Sequence, residues 1–297
     1  MKKTIAAILA AAAALSMSAC GRNHDITTSS EGNSSNGIKK VYYLNFKPEV
    51  ADIYQEIAEA YRSETGVELR VVTAAAGRYE QTLKSEIAKT DAPTIFQING
   101  PRGYLNWKDY CADLKGTELY QHLTDKSLAI TDGDGVYGIP YAIEGYGILC
   151  NNAIMQRYFD TAGAKASSLE EINNFETLKA VVEDMTAKKD ELGIRGVFAS
   201  TSLSPGEDWR WHTHLANIPL SYEFEANNIS LTQGVQTINF QFSEQMKNIF
   251  DLYLNHSVTE PRLLGSKQTT DSMAEFALGQ CAMVQNGNWA WGQISQV

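Results

Sequence analysis

The chain lacks the cysteine patterns of a disulfide-stabilised or zinc-binding protein. It has four cysteines in 297 residues, and no two of them form a CxxC pair. Apart from Cys20, the remaining cysteines are odd in number, irregularly spaced and without accompanying histidine ligands: Cys111, Cys150 and Cys281. A disulfide framework or a structural zinc site is therefore not expected.

Basic residues are also in short supply. Lys and Arg together number 25, against 35 for Asp and Glu, which gives a formal net charge of −10 at pH 7. An acidic body argues against general nucleic-acid binding and against adsorption onto anionic lipid. The charge alone identifies no partner.

No apolar run is long enough to cross a membrane as a helix. The longest, Thr4–Leu15, falls short of the ~20 residues that a spanning helix needs. Two lysines precede this run and small residues follow it, which is the three-part pattern of an export signal over residues 1–19.

The small-residue segment ends in a cysteine that resembles the last position of a bacterial lipobox, written here Met17-Ser18-Ala19-Cys20. The resemblance implies that the Cys20 thiol is acylated and that the chain is anchored on the outer face of the cytoplasmic membrane. Several acyl chains matter because a single chain gives only marginal membrane affinity. The alternative is ordinary cleavage near Ala19 with an incidental cysteine.

A polar segment separates this anchor from the body of the protein. Residues 20–37 are rich in Ser, Thr, Asn and Gly and cannot bury enough apolar surface to offset the entropy of ordering. We expect a flexible linker, with folded structure beginning at Ile38. About 260 residues remain beyond it, which is enough for two lobes.

The body opens with strands and helices in alternation. The predicted strands are 41–44, 67–72 and 94–98, and the predicted helices run from Pro48 to Gly66 and over 79–88. This β-α-β-α-β order implies a parallel sheet, whose ligands bind beyond the carboxyl ends of the strands. Three loops therefore become candidates for the site: 45–47, 76–79 and 99–102.

The next stretch is predicted to be helical over 107–123 and then to turn sharply. Asp132, Gly133, Asp134 and Gly135 form two Asp-Gly pairs, which are typical of hairpin turns. Asp132 and Asp134 also have the spacing of the first calcium ligands of an EF-hand, but the remaining ligands and the closing Glu are missing. The pattern favours a turn, followed by a strand over 146–151.

Three motifs then occur in a recognisable order. The first, residues 92–97, resembles a Pro-Asp-Ile/Val-Phe strand with Thr94 in place of the Asp. The second, residues 134–151, includes a central Glu144, and the third, residues 274–289, ends in Trp289. Together they resemble the family 1 extracellular solute-binding proteins, the maltose-binding-protein-like receptors of ABC importers. The resemblance covers Val41 to Gln293.

The resemblance implies an α/β protein with a two-lobe, type II periplasmic-binding-protein-like fold. Each lobe is expected to be a mainly parallel sheet flanked by helices, with the N-terminal lobe at 38–142 and the C-terminal lobe at 143–297. Because the sequence stops soon after the third motif, both lobes are expected to lack a C-terminal part. The second-lobe elements expected are helices at 169–188 and 240–254 and strands at 196–198 and 281–284.

The resemblance also implies a role: capture of a sugar or oligosaccharide in an interlobe cleft and delivery to an ABC permease. Such a receptor would be a monomer without cofactor, metal or catalytic residue, and it would touch the membrane only through its lipid anchor.

Two residues match functional positions of the family. Glu144 matches the hinge Glu that contacts sugar, and Trp289 matches the stacking Trp of the second lobe. Carbohydrates present CH-rich faces that stack on aromatic rings and hydroxyl groups that need polar partners, which adds further candidates from the loops and aromatic positions: Lys47, Tyr79, Asn99, Arg102, Tyr146, Trp209 and Trp211. Trp209 and Trp211 are two residues apart, so on one helix at most one of them lines the cleft.

Two other classes of function stay open. The ligand of a receptor could instead be a polyamine, a phosphoester or a peptide. The chain could also be a lipid-anchored, polysaccharide-active enzyme, although it shows no nucleophile elbow, metal motif or separated acid pair. His212 and His214 form a pair without a third metal ligand.

Overall fold

The computed structural model describes residues 40–230 and 235–295. The predicted signal peptide, the predicted lipidation site Cys20 and the predicted linker lie outside the described residues. Within the described part, no helix combines the length and apolarity needed to cross a membrane.

A parallel sheet forms the first part of the structure, as the alternating pattern predicts. Its strands are β1 (Lys40–Asn45), β2 (Glu68–Thr73) and β3 (Ile95–Phe96), in the order β2-β1-β3. Helices α1 (Ala51–Thr65) and α2 (Tyr79–Ile87) connect them. Gly66 ends α1 with φ 72°, a left-handed conformation that glycine adopts without steric cost.

The segment after β3 differs from the prediction. The third strand has two residues instead of five, and helix α3 (Gly100–Trp107) begins seven residues before the predicted helix. Pro101 explains the early start, because its fixed φ suits the first turn of a helix. The rest of the predicted stretch holds one 3₁₀ turn (Lys108–Tyr110) and the short helix α4 (Glu118–Gln121).

The predicted Asp-Gly turn is confirmed. Strands β4 (Ile130–Asp132) and β5 (Gly135–Gly138) pair in an antiparallel hairpin around it. Gly133 has φ 55°, and the Asp132 carboxylate accepts a hydrogen bond from the Tyr104 hydroxyl at 2.9 Å. The chain then runs through residues 139–145, the crossing segment, into β6 (Tyr146–Cys150).

The second sheet has the order β6-β8-β7, where β7 is Gly196–Phe198 and β8 is Cys281–Gly287. It is mixed, whereas a mainly parallel sheet was expected: β7 is parallel to β8, and β6 is antiparallel to it. β6 enters straight from the crossing segment without a crossover helix, so nothing constrains it to run parallel. The remaining helices are α5 (Asn152–Phe159), α6 (Phe175–Ala187), α7 (Lys189–Leu192), α8 (Asn217–Ala226), α9 (Ser243–Asn255), α10 (Thr269–Ala277) and α11 (Trp291–Ile294).

Separate hydrophobic cores lie on the two sheets. The core on the first sheet is built around Tyr42, Leu44 and Leu83. The second sheet carries a larger core that includes Met185, Val197 and Tyr253, and a smaller cluster lies beside it. Each sheet therefore has a core of its own, as two lobes require. The predicted boundary between residues 142 and 143 stays a prediction.

Gly196 permits a close approach of two backbone segments in the second sheet. A Cβ atom built on it would lie 2.5 Å from the Val258 nitrogen and 2.7 Å from the Ser257 carbonyl carbon. This approach lets the Val258 N–H donate to the Phe198 carbonyl at 2.8 Å. Backbone atoms cannot rotate away as a flexible side chain can, so any side chain here must separate β7 from residues 257–258.

We expect Gly196→Ala to destabilise the protein by about 2–3 kcal/mol, as overpacking against fixed atoms does. Gly147→Ala is the matched control, because Gly147 lies in the same sheet and a Cβ there meets no atom within 4 Å. Urea unfolding followed by circular dichroism measures both. Equal midpoints for the two variants would contradict the proposed close approach.

Candidate functional site

The loop that follows β1 is shaped by a buried asparagine. The Asn45 side-chain amide donates to the Lys47 carbonyl at 2.7 Å and to Thr73 Oγ1 at 3.1 Å. Its Oδ1 accepts the Lys47 N–H at 3.0 Å. These local bonds form an Asx-type turn that sets the direction in which the Lys47 side chain leaves the sheet.

A pocket of about 150 Å³ opens at this edge of the first sheet. The candidate loops and the crossing segment line it together, with Phe46, Lys47, Tyr79, Gln97, Ile98, Asn99, Tyr141, Ala142 and Glu144. Four of the residues predicted from the sequence are thus in one place: Lys47, Tyr79, Asn99 and Glu144. The position agrees with the rule that ligands bind beyond the carboxyl ends of parallel strands.

The Lys47 ammonium group joins this pocket to the second sheet. Its nitrogen lies 2.5 Å from a Glu144 carboxylate oxygen and 3.7 Å from a Glu49 oxygen. The same nitrogen is 5.4 Å from the ring centroids of both Phe46 and Trp289. A cation over two ring faces is attracted by both quadrupoles. Lys47 therefore brings together Glu144 and Trp289, the two residues that the sequence motifs single out.

Trp289 belongs to an aromatic cluster, which we define as Tyr146, Trp209, His214 and Trp289. The His214 ring stacks on Tyr146 at 4.1 Å and meets Trp209 edge-on at 4.9 Å. Trp289 lies 5.5 Å from His214 and 6.0 Å from Trp209, between ring centroids. The cluster gathers side chains from three separate parts of the chain and places them beside Lys47.

Gly287 explains the placement of the Trp289 ring. A Cβ atom at Gly287 would lie 2.3 Å from the indole carbons of Trp289, so this ring packs directly against the backbone at the end of β8. The next residue, Asn288, donates its N–H to the Gly145 carbonyl of the crossing segment at 3.0 Å. The end of β8 is thereby held beside Glu144.

A π-helical turn brings Trp209 and His214 together. Residues Arg210–Leu215 form this wider turn, with the Ala216 N–H bonded to the Trp211 carbonyl. In an α-helix, residues five apart point in different directions, whereas here they share one face. Ordinary helical spacing does not predict His214 as a neighbour of Trp209, because the π-helical turn is wider than an α-helical one.

His214 is buried and held by the second sheet. Its Nδ1 lies 3.0 Å from the Gln285 side-chain oxygen and 2.8 Å from the side-chain nitrogen of the same residue. Burial lowers the pKa of His214, and the nearby Arg210 charge acts in the same direction. The ring is therefore neutral at pH 7, which suits its parallel stacking on Tyr146.

Two of the predicted site residues have a different position or role. Trp211 is 3% exposed in the core, where it packs on Phe250 and Tyr253, so it does not line the site. Its predicted ligand role is wrong because its ring is part of the hydrophobic core on the second sheet. The Tyr79 hydroxyl donates to the Gln97 carbonyl at 2.9 Å and accepts the Gln97 N–H at 2.7 Å, so only its ring edge is available.

The remaining predicted residues differ in exposure. Asn99 is exposed at the start of α3, makes no capping bond there and lines the pocket. Arg102 is exposed on α3 but is not among the lining residues. Tyr146 is 44% exposed and offers one ring face beside His214. Gln97 and Tyr141 also line the pocket, although no motif singled them out.

Comparison with solved structures identifies the fold. The apo form of RafE from Streptococcus pneumoniae matches with 18% identity and a TM-score of 0.60, over 90% of this chain and 65% of that one. RafE has also been solved in complex with raffinose. The GacH receptor of Streptomyces glaucescens, solved unliganded and with acarbose, matches with 17% identity and a TM-score of 0.59, over 86% of this chain and 62% of that one.

A third match is the maltose/maltodextrin-binding domain MalE from Bdellovibrio bacteriovorus bound to maltotriose. It shows 16% identity and a TM-score of 0.55, over 86% of this chain and 63% of that one. The chain thus spans slightly less than two thirds of the length of these structures. Identities this low establish the two-lobe α/β fold and not the ligand. No curated protein sequence matches the chain.

The family itself is established by sequence. A family profile described as bacterial extracellular solute-binding protein matches residues 56–297, which is most of the chain. The match includes the crossing segment, the aromatic cluster and both sheets apart from β1, and it agrees with the resemblance carried by the sequence motifs. The chain therefore belongs to the bacterial extracellular solute-binding proteins.

Proposed function

We propose that the protein captures a sugar or oligosaccharide at the Lys47–Glu144 pocket and the aromatic cluster, and delivers it to an ABC import permease. The observation that carries this proposal is the position of one Lys–carboxylate pair against the Trp289 ring. This arrangement supplies, side by side, the two kinds of contact that a carbohydrate needs.

The hydroxyl groups of a sugar both donate and accept hydrogen bonds. The Lys47 ammonium group only donates and the Glu144 carboxylate only accepts, so together they can bind neighbouring hydroxyls. When a hydroxyl replaces one bond of the ion pair, the two opposite charges stay close and neither is left without a partner. Trp289 and Tyr146 add apolar faces on which the CH groups of a pyranose ring can stack.

The solved relatives support a carbohydrate over the other solutes. RafE, GacH and the MalE domain have been solved with raffinose, acarbose and maltotriose, respectively. The site of this chain has the aromatic surface that such ligands use. A polyamine, a phosphoester or a peptide is the alternative ligand class, and delivery to a permease is inferred from the family.

A polysaccharide-active enzyme is a weaker alternative. A glycosidase places two carboxylates on opposite sides of the scissile bond. Glu144 and Glu49 instead lie on the same lysine ammonium group, which ties them to a cation and not to a shared bond. The geometry therefore favours binding without turnover.

We also propose that Cys20 carries the lipid anchor of this receptor, on the strength of the lipobox-like segment and the polar linker after it. The intact mass of the mature protein tests this prediction. The expected mass includes two or three acyl chains on a chain that starts at Cys20, and an unmodified Cys20 would contradict it.

A thermal-shift screen with a glycan library tests the proposed function. Raffinose, maltotriose and acarbose are the first probes, with spermidine, glycerol phosphate and a tripeptide as the non-sugar set. A bound ligand raises the unfolding temperature with the logarithm of its concentration over Kd. A shift with the non-sugar set alone would refute the carbohydrate proposal, and release of cleaved glycan would refute the receptor proposal.

We expect Trp289→Ala to weaken binding of the glycan selected by this screen by roughly 1–3 kcal/mol, because it removes the stacking surface. Tyr222→Ala is the control: Tyr222 is 60% exposed and packs on Phe242, outside the cluster. Isothermal titration calorimetry measures both affinities. Unchanged affinity in a folded Trp289→Ala variant would remove this ring from the site.

We expect Glu144→Gln to weaken glycan binding by about 1 kcal/mol, roughly fivefold, because an amide is a weaker acceptor than a carboxylate. Glu49→Gln is the matched control, since Glu49 also lies near the Lys47 ammonium group but does not line the pocket. Both variants lose one negative charge beside the same lysine. Equal losses in the two variants would show that only the net charge matters and that Glu144 does not contact the ligand.

A further inference from the structure

Arg210 is a buried cation that nothing in the proposed binding chemistry uses. It is 5% exposed and lies directly behind the aromatic cluster, at the start of the π-helical turn. Within residues 40–230 and 235–295, no carboxylate lies within ion-pair distance of its guanidinium group; the Glu207 carboxylate acts on it only from farther away. Burial lowers the pKa of Arg210 to about 10, so it stays charged at neutral pH.

A buried charge is costly, and Arg210 offsets this cost with neutral hydrogen-bond acceptors and one aromatic face. Its Nη1 donates to Thr269 Oγ1 at 2.9 Å. Its Nε and Nη2 donate to Asn286 Oδ1 at 3.4 and 3.3 Å. The guanidinium carbon lies 4.1 Å from the ring centroid of Trp209, which is stacking distance.

Through these contacts one guanidinium group reaches both tryptophans of the cluster. It touches Trp209 directly, on the face of the ring. It reaches Trp289 through Asn286, whose Oδ1 also accepts the Gly287 N–H at 3.0 Å. That peptide group belongs to the same glycine against which the Trp289 ring packs. The distance and tilt of the two rings, 6.0 Å and 42°, thus depend on where Arg210 sits.

We propose that Arg210 is the positioning residue of the binding surface: its guanidinium group fixes Trp209 by stacking and Trp289 through Asn286, so that the pair presents one fixed surface to the ligand. Lysine cannot fill this role, because a point-like ammonium group neither stacks on an indole nor forms the forked contact. The ligand of this surface is the one named in the proposed function, so that part of the proposal rests on it. The contacts of Arg210 with the two tryptophans do not depend on the proposed function.

Near-ultraviolet circular dichroism of the ligand-free protein tests the proposal. Two indole rings this close and tilted couple their electronic transitions, which gives a band in the near-ultraviolet spectrum. This coupled band is identified as the part of the spectrum that both Trp209→Phe and Trp289→Phe lose. We expect Arg210→Gln to lose the same band while far-ultraviolet circular dichroism shows the protein to be folded. Arg195→Gln is the matched control, because Arg195 is exposed and bonds only to Gln280 among the described side chains, at 2.9 Å.

Two further variants keep the test decisive if Arg210→Gln does not fold. Thr269→Val removes a single acceptor from Nη1, and we expect it to reduce the coupled band without abolishing it. Arg210→Lys retains the charge, and we expect it to lose the band as Arg210→Gln does. A folded Arg210→Gln or Arg210→Lys variant with an intact band, or a Thr269→Val variant with an unchanged band, would overturn the proposal.

Ligand binding separates this inference from the proposed function. The glycan with the largest shift in the thermal screen should bind Arg210→Gln more weakly than Arg195→Gln. If no glycan binds the wild-type protein but the band depends on Arg210, the proposed function fails and the positioning role stands. If glycan binds a folded Arg210→Gln variant with wild-type affinity, the positioning role fails and the proposed function stands.

Discussion

The ion pair between Lys47 and Glu144 is the contact on which the geometry of the site depends. Lys47 comes from the loop after β1 and Glu144 from the crossing segment. The Trp289 ring, which the same ammonium group contacts, comes from the end of β8. The lysine side chain is 16% exposed and that of Glu144 is 32% exposed, so solvent screens the pair only in part. Such a pair, with two ring faces beside it, is worth on the order of 1–2 kcal/mol. That is little for the stability of the fold, but it is enough to fix which side chains face one another.

Behind this contact lies a layer of buried polar side chains that does not face the ligand. Gln285 and Asn286 on β8 are almost fully buried, and they hold His214 and Arg210 respectively. Buried polar groups of this kind add little net stability, because their desolvation cost offsets most of what their hydrogen bonds return. They do restrict the side chains to one arrangement. The rigidity of the aromatic surface therefore comes from polar contacts beneath it, and the apolar core on the second sheet supplies the stability.

The sequence predicts the fold correctly where the spacing of apolar residues alone determines the structure of a segment. Helix α1 and strands β1 and β2 follow from apolar spacing, from Pro48 and from Gly66, because each of these acts on its own neighbourhood. Prediction fails where a strand far away in the sequence determines the length or direction of a segment. The length of β3 and the direction of β6 depend on which strands pair with them, and apolar periodicity carries no information on strand direction. Pro101 is a local signal for the early start of α3, because its fixed φ suits the first turn of a helix.

The candidate site likewise has residues that local motifs predict and residues that only distant contacts place. Glu144 and Trp289 can be located from motifs, and four of the proposed residues do line one pocket. The positions of the Trp209 and Trp211 side chains depend on a π-helical turn, which ordinary helical spacing does not predict. Residues two apart still point in different directions, and accordingly Trp209 joins the aromatic cluster while Trp211 lies in the core. His214 and Arg210 could not be found by periodicity, since their roles come from β8, about 70 residues away along the chain.

In the proposed function, the free energy of ligand binding comes from two kinds of contact, hydrogen bonds and aromatic stacking. A ligand shifts a conformational equilibrium only by its differential affinity for the two states. Hydrogen bonds from a sugar to Lys47 and Glu144 replace bonds that these side chains already make to each other and to water, so their net gain is small. Stacking on Trp289 and Tyr146 removes apolar surface from water on both partners, and no prior contact has to be broken on the open face of Tyr146. In the proposed function, the aromatic surface thus supplies most of the binding free energy, whereas the ion pair determines which hydroxyl arrangement is accepted. Affinity and specificity then depend on different residues, and a substitution at Trp289 should weaken all bound glycans alike, while one at Glu144 should change their ranking.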